Sequence, residues 1–363
     1  MGLSGVLASA AVALSKLAHD APFAAYVTHF GKTYSSPTER ATREVIYASN
    51  LAKIAAQNAL TNSWIAGVNE FTDWSNTEFR AQRTSSLPSH VRARHNSNPA
   101  PPPSLSAVAP PPDTVDWRTK NVLSPVKNQG GCGSCWAFSA VETFEAALAM
   151  ETGGMPKLLS TQQIVACSPN PNDCGGTGGC DGSTQQLAFN YTMLAGITTE
   201  ADYPYEGKTG TCNAGAAAKA VAKNDGFWTV MPNNYTDLVA TVAKRPVAIT
   251  VAAGGLGWQL YESGVYSGGL FGCGFELDHG VQLVGYGADG AKLYWIVRNS
   301  WGGGWGQDGY MYLERYGEGK EPCGIDKKPG DGIACKGDST QETWCGECGI
   351  LSSSSYPQGV KPV

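Results

Sequence analysis

Histidine is scarce in this 363-residue chain, and cysteine is unevenly placed. The five histidines are His19, His29, His90, His95 and His279, whereas all eleven cysteines fall from Cys132 onward. Only His279 shares the cysteine-bearing part, so any Cys–His chemistry there has one histidine to use. An odd number of cysteines leaves at least one thiol outside the intrachain bridges. Residues 127–138 read Lys-Asn-Gln-Gly-Gly-Cys-Gly-Ser-Cys-Trp-Ala-Phe, and the pattern predicts a helix that opens at Cys135. A thiol there meets the positive end of the helix dipole and unpaired backbone N–H groups, both of which favour thiolate. The need for help is large, because a free thiol of pKa ~8.5 is only about one part in three thousand ionised at pH ~5. His279 can supply the imidazolium. Asn299 follows a predicted strand and offers an uncharged oxygen to hold the second ring nitrogen. Trp301 is placed to roof that bond. Gln129, six residues before Cys135, can set its amide beside the Cys135 N–H as a second oxyanion donor. Together these are the parts of a nucleophilic acyl-transfer site.

Several elements must position those residues. The helix from Cys135 is expected to end at Gly153-Gly154. Strands are expected at 280–285 and 293–298, where β-branched and aromatic residues lie between glycine-rich turns. Residues 23–83 read as mainly helical, with a long helix between Ser36 and Leu60 that tolerates Pro37 near its start. Residues 96–113 are proline-rich and extended, a linker open to proteolysis. The cysteine-bearing remainder reads as mixed α+β. Composition is that of a globular protein, with 42% hydrophobic and 16% charged residues. Residues 1–112 hold nine basic and six acidic residues, against 17 and 25 in the rest. A basic front can therefore dock on an acidic back, and no basic run suggests nucleic acid. So many cysteines point to an oxidising compartment. Residues 1–18 are read as a signal peptide of weak pattern, too short to span a membrane.

These blocks carry a family resemblance. Cys-Gly-Ser-Cys-Trp at 132–136, with His279 and Asn299 far downstream, resembles the papain and cathepsin signature. The blocks at 115–118, 125–129, 278–287 and 299–302 resemble papain-family segments in the same order. Glu39, Arg43, Tyr47, Asn50, Ile54 and Asn58 have the spacing of the ERFNIN motif of cathepsin L-like propeptides, with Tyr for Phe. Residues 67–73 resemble the second propeptide motif, GxNxFxD.

The resemblance implies an α+β, two-domain papain-like fold with a helical left domain (about 124–228) and a β-barrel-like right domain (about 229–363). It implies an inhibitory propeptide at 19–95, a linker at 96–112, a peptidase domain from 113 and a thiol endopeptidase activity. Its catalytic residues would be Gln129, Cys135, His279 and Asn299. Disulfides Cys132–Cys180, Cys167–Cys212 and Cys273–Cys348 are carried over, which leaves Cys174, Cys323, Cys335 and Cys345 open and residues 320–347 as an insertion. Substrate contacts would come from Gly182, Ser183, Thr184, Gln185, Thr250, Leu277, Gly280, Trp301 and Ser353. Ser183 replaces a usual glycine, and the pocket for the residue two before the cut is read as neutral and polar. Expected partners are protein and peptide substrates, the chain's own propeptide and cystatin-like inhibitors, with no cofactor, metal, nucleic acid or membrane, and a monomeric state. The secretory pathway is expected, leading to a lysosome, a vacuole or the exterior. Asn190-Tyr-Thr and Asn234-Tyr-Thr are candidate glycosylation sites. Trp-Cys-Gly-Glu-Cys at 344–348 resembles a thioredoxin-type site, but no helix is expected after it, so a structural role is preferred. A non-catalytic relative is the main rival, and the presence of all four catalytic residues weighs against it.

Overall fold

The computed structural model describes residues 16–60, 63–84 and 110–363. The candidate leader lies outside the described residues except for 16–18, and the linker except for 110–112. The N-terminal region forms helix α1 (Phe23–His29), helix α2 (Pro37–Asn58), strand β1 (Trp64–Ala66) and helix α3 (Asn76–Arg83). Helix α2 starts where Ser36 accepts the Glu39 N–H and Pro37 fills the first helical position, since proline's missing N–H costs nothing there. Its buried residues Tyr47, Asn50, Ile54 and Gln57 recur three and four apart and so share a face. That face holds the loop ahead of α3. Asn50 donates to the Thr72 and Trp74 carbonyls at 2.8 and 3.0 Å, and Asn58 bonds both backbone groups of Ala66. A Ser75–Glu78 capping box opens α3.

The chain continues through β2 (Val115–Asp116) into the helical half. This contains α4 (Cys135–Thr152), α5 (Thr161–Cys167), α6 (Gln185–Ala195), α7 (Ala214–Ala217) and strands β3 (Ala222–Lys223) and β4 (Gly226–Thr229). The sheet-rich half adds α8 (Tyr235–Val242), β5 (Val247–Val251), α9 (Leu256–Gln259), β6 (Tyr261–Tyr266), β7 (His279–Asp289), β8 (Lys292–Arg298) and β9 (Tyr310–Arg315). It ends with β10 (Cys323–Asp326), β11 (Glu342–Cys345), β12 (Ser354–Gln358) and β13 (Lys361–Pro362). The main sheet runs β1-β6-β9-β8-β7-β5-β12-β4, with β2 paired to β7.

Each half has its own core. Trp136, Phe144, Leu148, Ile164 and Phe189 centre the helical one, and Trp258, Trp295, Trp301 and Trp305 lie in the other. The N-terminal region shares the second core through Trp64, Phe71 and Phe79. It also supplies an edge strand, since β1 pairs antiparallel with β6. Gly264 permits that pairing: it sits at φ +87, and a Cβ there would strike the Ser63 carbonyl.

Helix α4 buries most of its circumference, because α6 packs on one side and β7 on another. Ser139 Oγ donates to the Val281 carbonyl at 2.7 Å, and Glu142 pairs with the fully buried Arg298 at 3.4 Å. Burial raises the Glu142 carboxyl to about 7, with Arg298 and then Lys127 opposing the rise. Gly153, left-handed at φ 63, ends the helix.

Five disulfides join Cys132–Cys180, Cys167–Cys212, Cys174–Cys335, Cys273–Cys348 and Cys323–Cys345. The pairing that sequence left open is therefore Cys174–Cys335 with Cys323–Cys345. Cys345 and Cys348 bond to different partners, so segment 344–348 holds no redox dithiol. Cys135 is the one cysteine outside these bridges, and it is buried. Among the described residues no helix is long and apolar enough to cross a membrane.

Candidate active site

His279 begins β7, and Asn299 follows the end of β8, its neighbour in the sheet. This adjacency brings His279 Nε2 to 2.8 Å from Asn299 Oδ1. Asn299 Oδ1 also accepts the Ser300 N–H at 2.8 Å, which fixes the amide's orientation. An accepting oxygen at Nε2 places the neutral ring's proton on Nε2, and Nδ1 has no hydrogen-bond partner. Trp301 stacks on the imidazole at 4.7 Å and 27° between planes. Trp258 meets it edge-on at 6.1 Å. Burial lowers the His279 pKa to about 4; the Asn299 bond opposes this, and the Arg83 guanidinium adds to it.

Cys135 is the first residue of α4 and has no exposed surface. Gly280, next to His279, lies against the same turn. A Cβ at Gly280 would stand 3.2 Å from the Cys135 carbonyl carbon and 3.1 Å from Trp136 Cα. A side chain at 280 would wedge β7 away from α4, and glycine lets the two approach. Gln129 is tied to the segment after Asn299. Its N–H donates to the Ser300 carbonyl at 2.8 Å and its Oε1 accepts from Ser300 Oγ at 2.7 Å. Its Nε2 donates to the Cys132 carbonyl at 3.0 Å. Tyr205 Oη donates to the Gln129 carbonyl and hydrogen-bonds to Ser134 Oγ, both at 2.7 Å.

The N-terminal region covers this assembly. Phe71 and Phe79 meet Trp301 edge-on at 5.9 and 5.1 Å. Asn69 Nδ2 donates to the Gln259 carbonyl at 2.8 Å. The Gly67 N–H donates to the Leu260 carbonyl, also at 2.8 Å. At the end of α3 the Arg83 carbonyl accepts from Gln129 Nε2 at 3.3 Å. The Arg83 guanidinium donates to the Gly130 carbonyl at 2.8 Å and to Asn128 Oδ1 at 3.3 Å. It also stacks on Phe71 at 4.6 Å.

The residues read as substrate contacts do not form one open pocket. Thr184 and Ser353 line a cavity of about 260 Å³. Gln185 is buried and donates to the Ile249 carbonyl and Thr250 Oγ1, which draws Thr250 into the seam between the halves. Leu277 and Trp301 are fully buried, and Ser183 nearly so. Gly182, at φ 91, accepts the Gly178 N–H through its carbonyl. Asn190, half-buried, lines the same cavity as Thr184. Asn234 caps α8 by accepting the Asp237 N–H. Sequence reasoning missed Ser300, Tyr205, Trp258 and Arg83. Ser300 stood in the block containing Asn299 and could have been found there. The others carry no local signal.

Residues 111–332 match the model for papain family cysteine proteases, and residues 23–79 match the cathepsin propeptide inhibitor domain (I29). This chain belongs to the papain family of cysteine peptidases, in precursor form with an inhibitory propeptide. It is 39% identical over 336 residues to the oryzain beta chain of Oryza sativa subsp. japonica, covering 89% of this chain and 63% of that protein. It is 36% identical over 338 residues to the senescence-specific cysteine protease SAG39 of the same rice, covering 89% and 94%. The chain thus spans less than two thirds of the first relative's length and nearly all of the second's. Among solved structures, recombinant stem bromelain precursor superposes with TM-score 0.74 at 32% identity, covering 93% of this chain and 97% of that one. Procathepsin L 3 from the larval midgut of Tenebrio molitor gives 0.74 at 31%, again covering 93% and 97%.

Proposed function

We propose that the chain is the autoinhibited zymogen of a cysteine endopeptidase in which Cys135, His279, Asn299 and Gln129 hydrolyse peptide bonds. The observation that carries this reading is the Arg83 carbonyl held by Gln129 Nε2 at 3.3 Å. A backbone carbonyl thus already occupies the place where a substrate carbonyl would be polarised. In the reaction, the Cys135 thiolate attacks the scissile carbonyl carbon. The resulting oxyanion accepts hydrogen bonds from Gln129 Nε2 and the Cys135 N–H. The tetrahedral intermediate collapses as protonated His279 gives its proton to the leaving amine, and the thioester acyl-enzyme remains. Neutral His279 then takes a proton from water, whose oxygen attacks the thioester. The acid product leaves, and the Cys135 thiolate and His279 imidazolium are restored. Asn299 keeps Nε2 engaged throughout, so the ring presents Nδ1 to the reaction.

In this reading residues 19–95 are the propeptide, 96–112 the linker and 113–363 the peptidase, divided near residue 229. Substrates are proteins and peptides, and cystatin-like proteins fit as inhibitors of the opened cleft. Multiple disulfides suggest the secretory pathway, and a lysosome, a vacuole or the exterior is the proposed destination.

Acid should open the zymogen, and two groups give the sign. His279 falls from its ordinary 6.5 to about 4 in the closed form. The closed form therefore binds fewer protons than an opened one and loses stability as pH falls from about 6.5 to 4. The Glu78 carboxyl, although burial pushes it up, is held below its ordinary value by the Ser75 hydrogen bonds and then Arg43. Its contribution is present above about pH 4.5 and is lost as pH falls through the lowered pKa. Buried Glu70, raised by desolvation, has the opposite sign but involves a single group. Incubating the purified precursor between pH 7 and 4 should release a fragment starting near Asp113, with peptidase activity rising as the fragment appears. A chain that stays intact and inactive at pH 4 counts against the proposal.

A further inference from the structure

An oxyanion held by Gln129 Nε2 and the Cys135 N–H needs two donors from separate segments to aim at one point. A tight turn lies between them, in which the Ser134 N–H donates to the Cys132 carbonyl at 2.8 Å. Gln129 is braced on one side by Ser300, which accepts its N–H at 2.8 Å and donates to its Oε1 at 2.7 Å. That brace leads to the sheet-rich half and away from α4.

Tyr205 makes the connection to α4. Its Oη stands 2.7 Å from the Gln129 carbonyl and 2.7 Å from Ser134 Oγ. A carbonyl only accepts, so the single phenol proton goes to Gln129 and the Ser134 hydroxyl donates to Oη. One oxygen thereby couples the residue that carries the first donor to the residue just ahead of the second. The behaviour of Ser134 supports this. It is the N-cap of α4, where a serine oxygen ordinarily accepts an N–H two or three residues on, yet its side chain makes no capping bond. The fully buried hydroxyl is turned to Tyr205 instead.

The phenol is itself held in place. Phe138 meets its ring edge-on at 4.8 Å, and the Tyr205 N–H donates to Glu200 Oε1 at 2.7 Å. Burial pushes the hydroxyl up to about 12, against the Ser134 bond and with a smaller push from Cys135. It therefore stays a protonated donor from acid to well above neutral pH. All of these partners lie in the peptidase part, so removal of the N-terminal region leaves them in place.

We propose that Tyr205 is a positioning residue that holds Gln129 and the first turn of α4 in register, so that their two donors converge on the oxyanion. This rests on the peptidase reading. Tyr205 acts through Gln129 and Ser134, so its loss should register where charge develops on the substrate oxygen and not in the reactivity of the thiolate. The loss should be smaller than the 10²–10³-fold expected when a donor is removed outright, because the donor remains and only its aim relaxes.

The test uses the processed enzyme and a fluorogenic peptide amide carrying leucine two residues before the cut. Tyr205→Phe keeps the ring and removes both bonds; it should lower kcat by about 10-fold with KM within about twofold. The matching peptide aldehyde adds to the Cys135 sulfur and leaves its former carbonyl oxygen in the oxyanion site, so its affinity should also fall by about 10-fold. Alkylation of Cys135 by iodoacetamide needs the thiolate but no oxyanion, and its rate-against-pH profile should be unchanged. Ser134→Ala leaves the tyrosine intact and should show the same pattern at about fivefold, the scale of one hydrogen bond. Added to Tyr205→Phe, it should change kcat by less than about 1.5-fold, because both act through one oxygen. If Tyr205→Phe yields no folded enzyme, Ser134→Ala carries the test alone. Native kcat in the folded variants, or aldehyde affinity and alkylation rate falling together, overturns the positioning proposal alone. A correctly processed native enzyme that does not cleave the peptide amide overturns the peptidase reading beneath it.

Discussion

His279→Ala should lower kcat of the processed enzyme by about 10⁴–10⁶-fold, the scale seen when a nucleophile loses its base. Two losses combine. The imidazolium that stabilises the Cys135 thiolate disappears, and the leaving amine has no proton donor. No substitute stands nearby, because His279 is the one histidine beyond His95. The fold should tolerate the change, since Trp301 stays held between Trp258 and Trp305. Steady-state kinetics at matched active-site concentration would check it, with near-ultraviolet dichroism reporting on the tryptophan cluster. A variant that keeps more than about a hundredth of native kcat would remove His279 from the mechanism.

Gln129→Ala should cost about 10²–10³-fold in kcat, equivalent to roughly 3–4 kcal/mol, with KM little changed. The amide donates to a charge that develops only in the transition state, so ground-state binding should not register its loss. The same change should loosen the zymogen, because Gln129 Nε2 also holds the Arg83 carbonyl. The variant precursor should therefore open at a higher pH than the native one while its product works more slowly. Ser300→Ala offers a graded control: it removes the bond to Gln129 Oε1 but leaves the donor in place, so its loss should be smaller. A raised KM with kcat unchanged would instead point to a substrate-binding role.

The residues that assemble the site were legible because their types are chemically scarce and their partners lie in short contiguous blocks. Helix α2 was legible for a different reason: Ser36, Pro37 and Glu39 mark its start, and Tyr47, Asn50 and Ile54 mark its inward face. The pocket walls were not legible. Four cysteines allow three pairings, and only the one with Cys174–Cys335 carries Ile333 to the cavity. Gln185 and Thr250 read as pocket residues, yet their side chains turn to each other in the seam. Sequence spacing cannot settle a hydrogen bond between residues 65 positions apart. Arg83 lies at the end of a stretch read only as mainly helical. Its burial depends on the turn of α3 that brings its carbonyl to Gln129, which is a tertiary outcome.

The central claim is that Cys135 is the nucleophile and that the N-terminal region shields it until release. Peptide mapping by mass spectrometry after treatment with a thiol-alkylating epoxide tests both halves together. The processed enzyme should take up one label per molecule, on Cys135, in step with the loss of peptidase activity, and the intact precursor at pH 7 should take up none. Activity that survives full labelling of Cys135, or a precursor labelled as fast as the processed enzyme, would contradict the account.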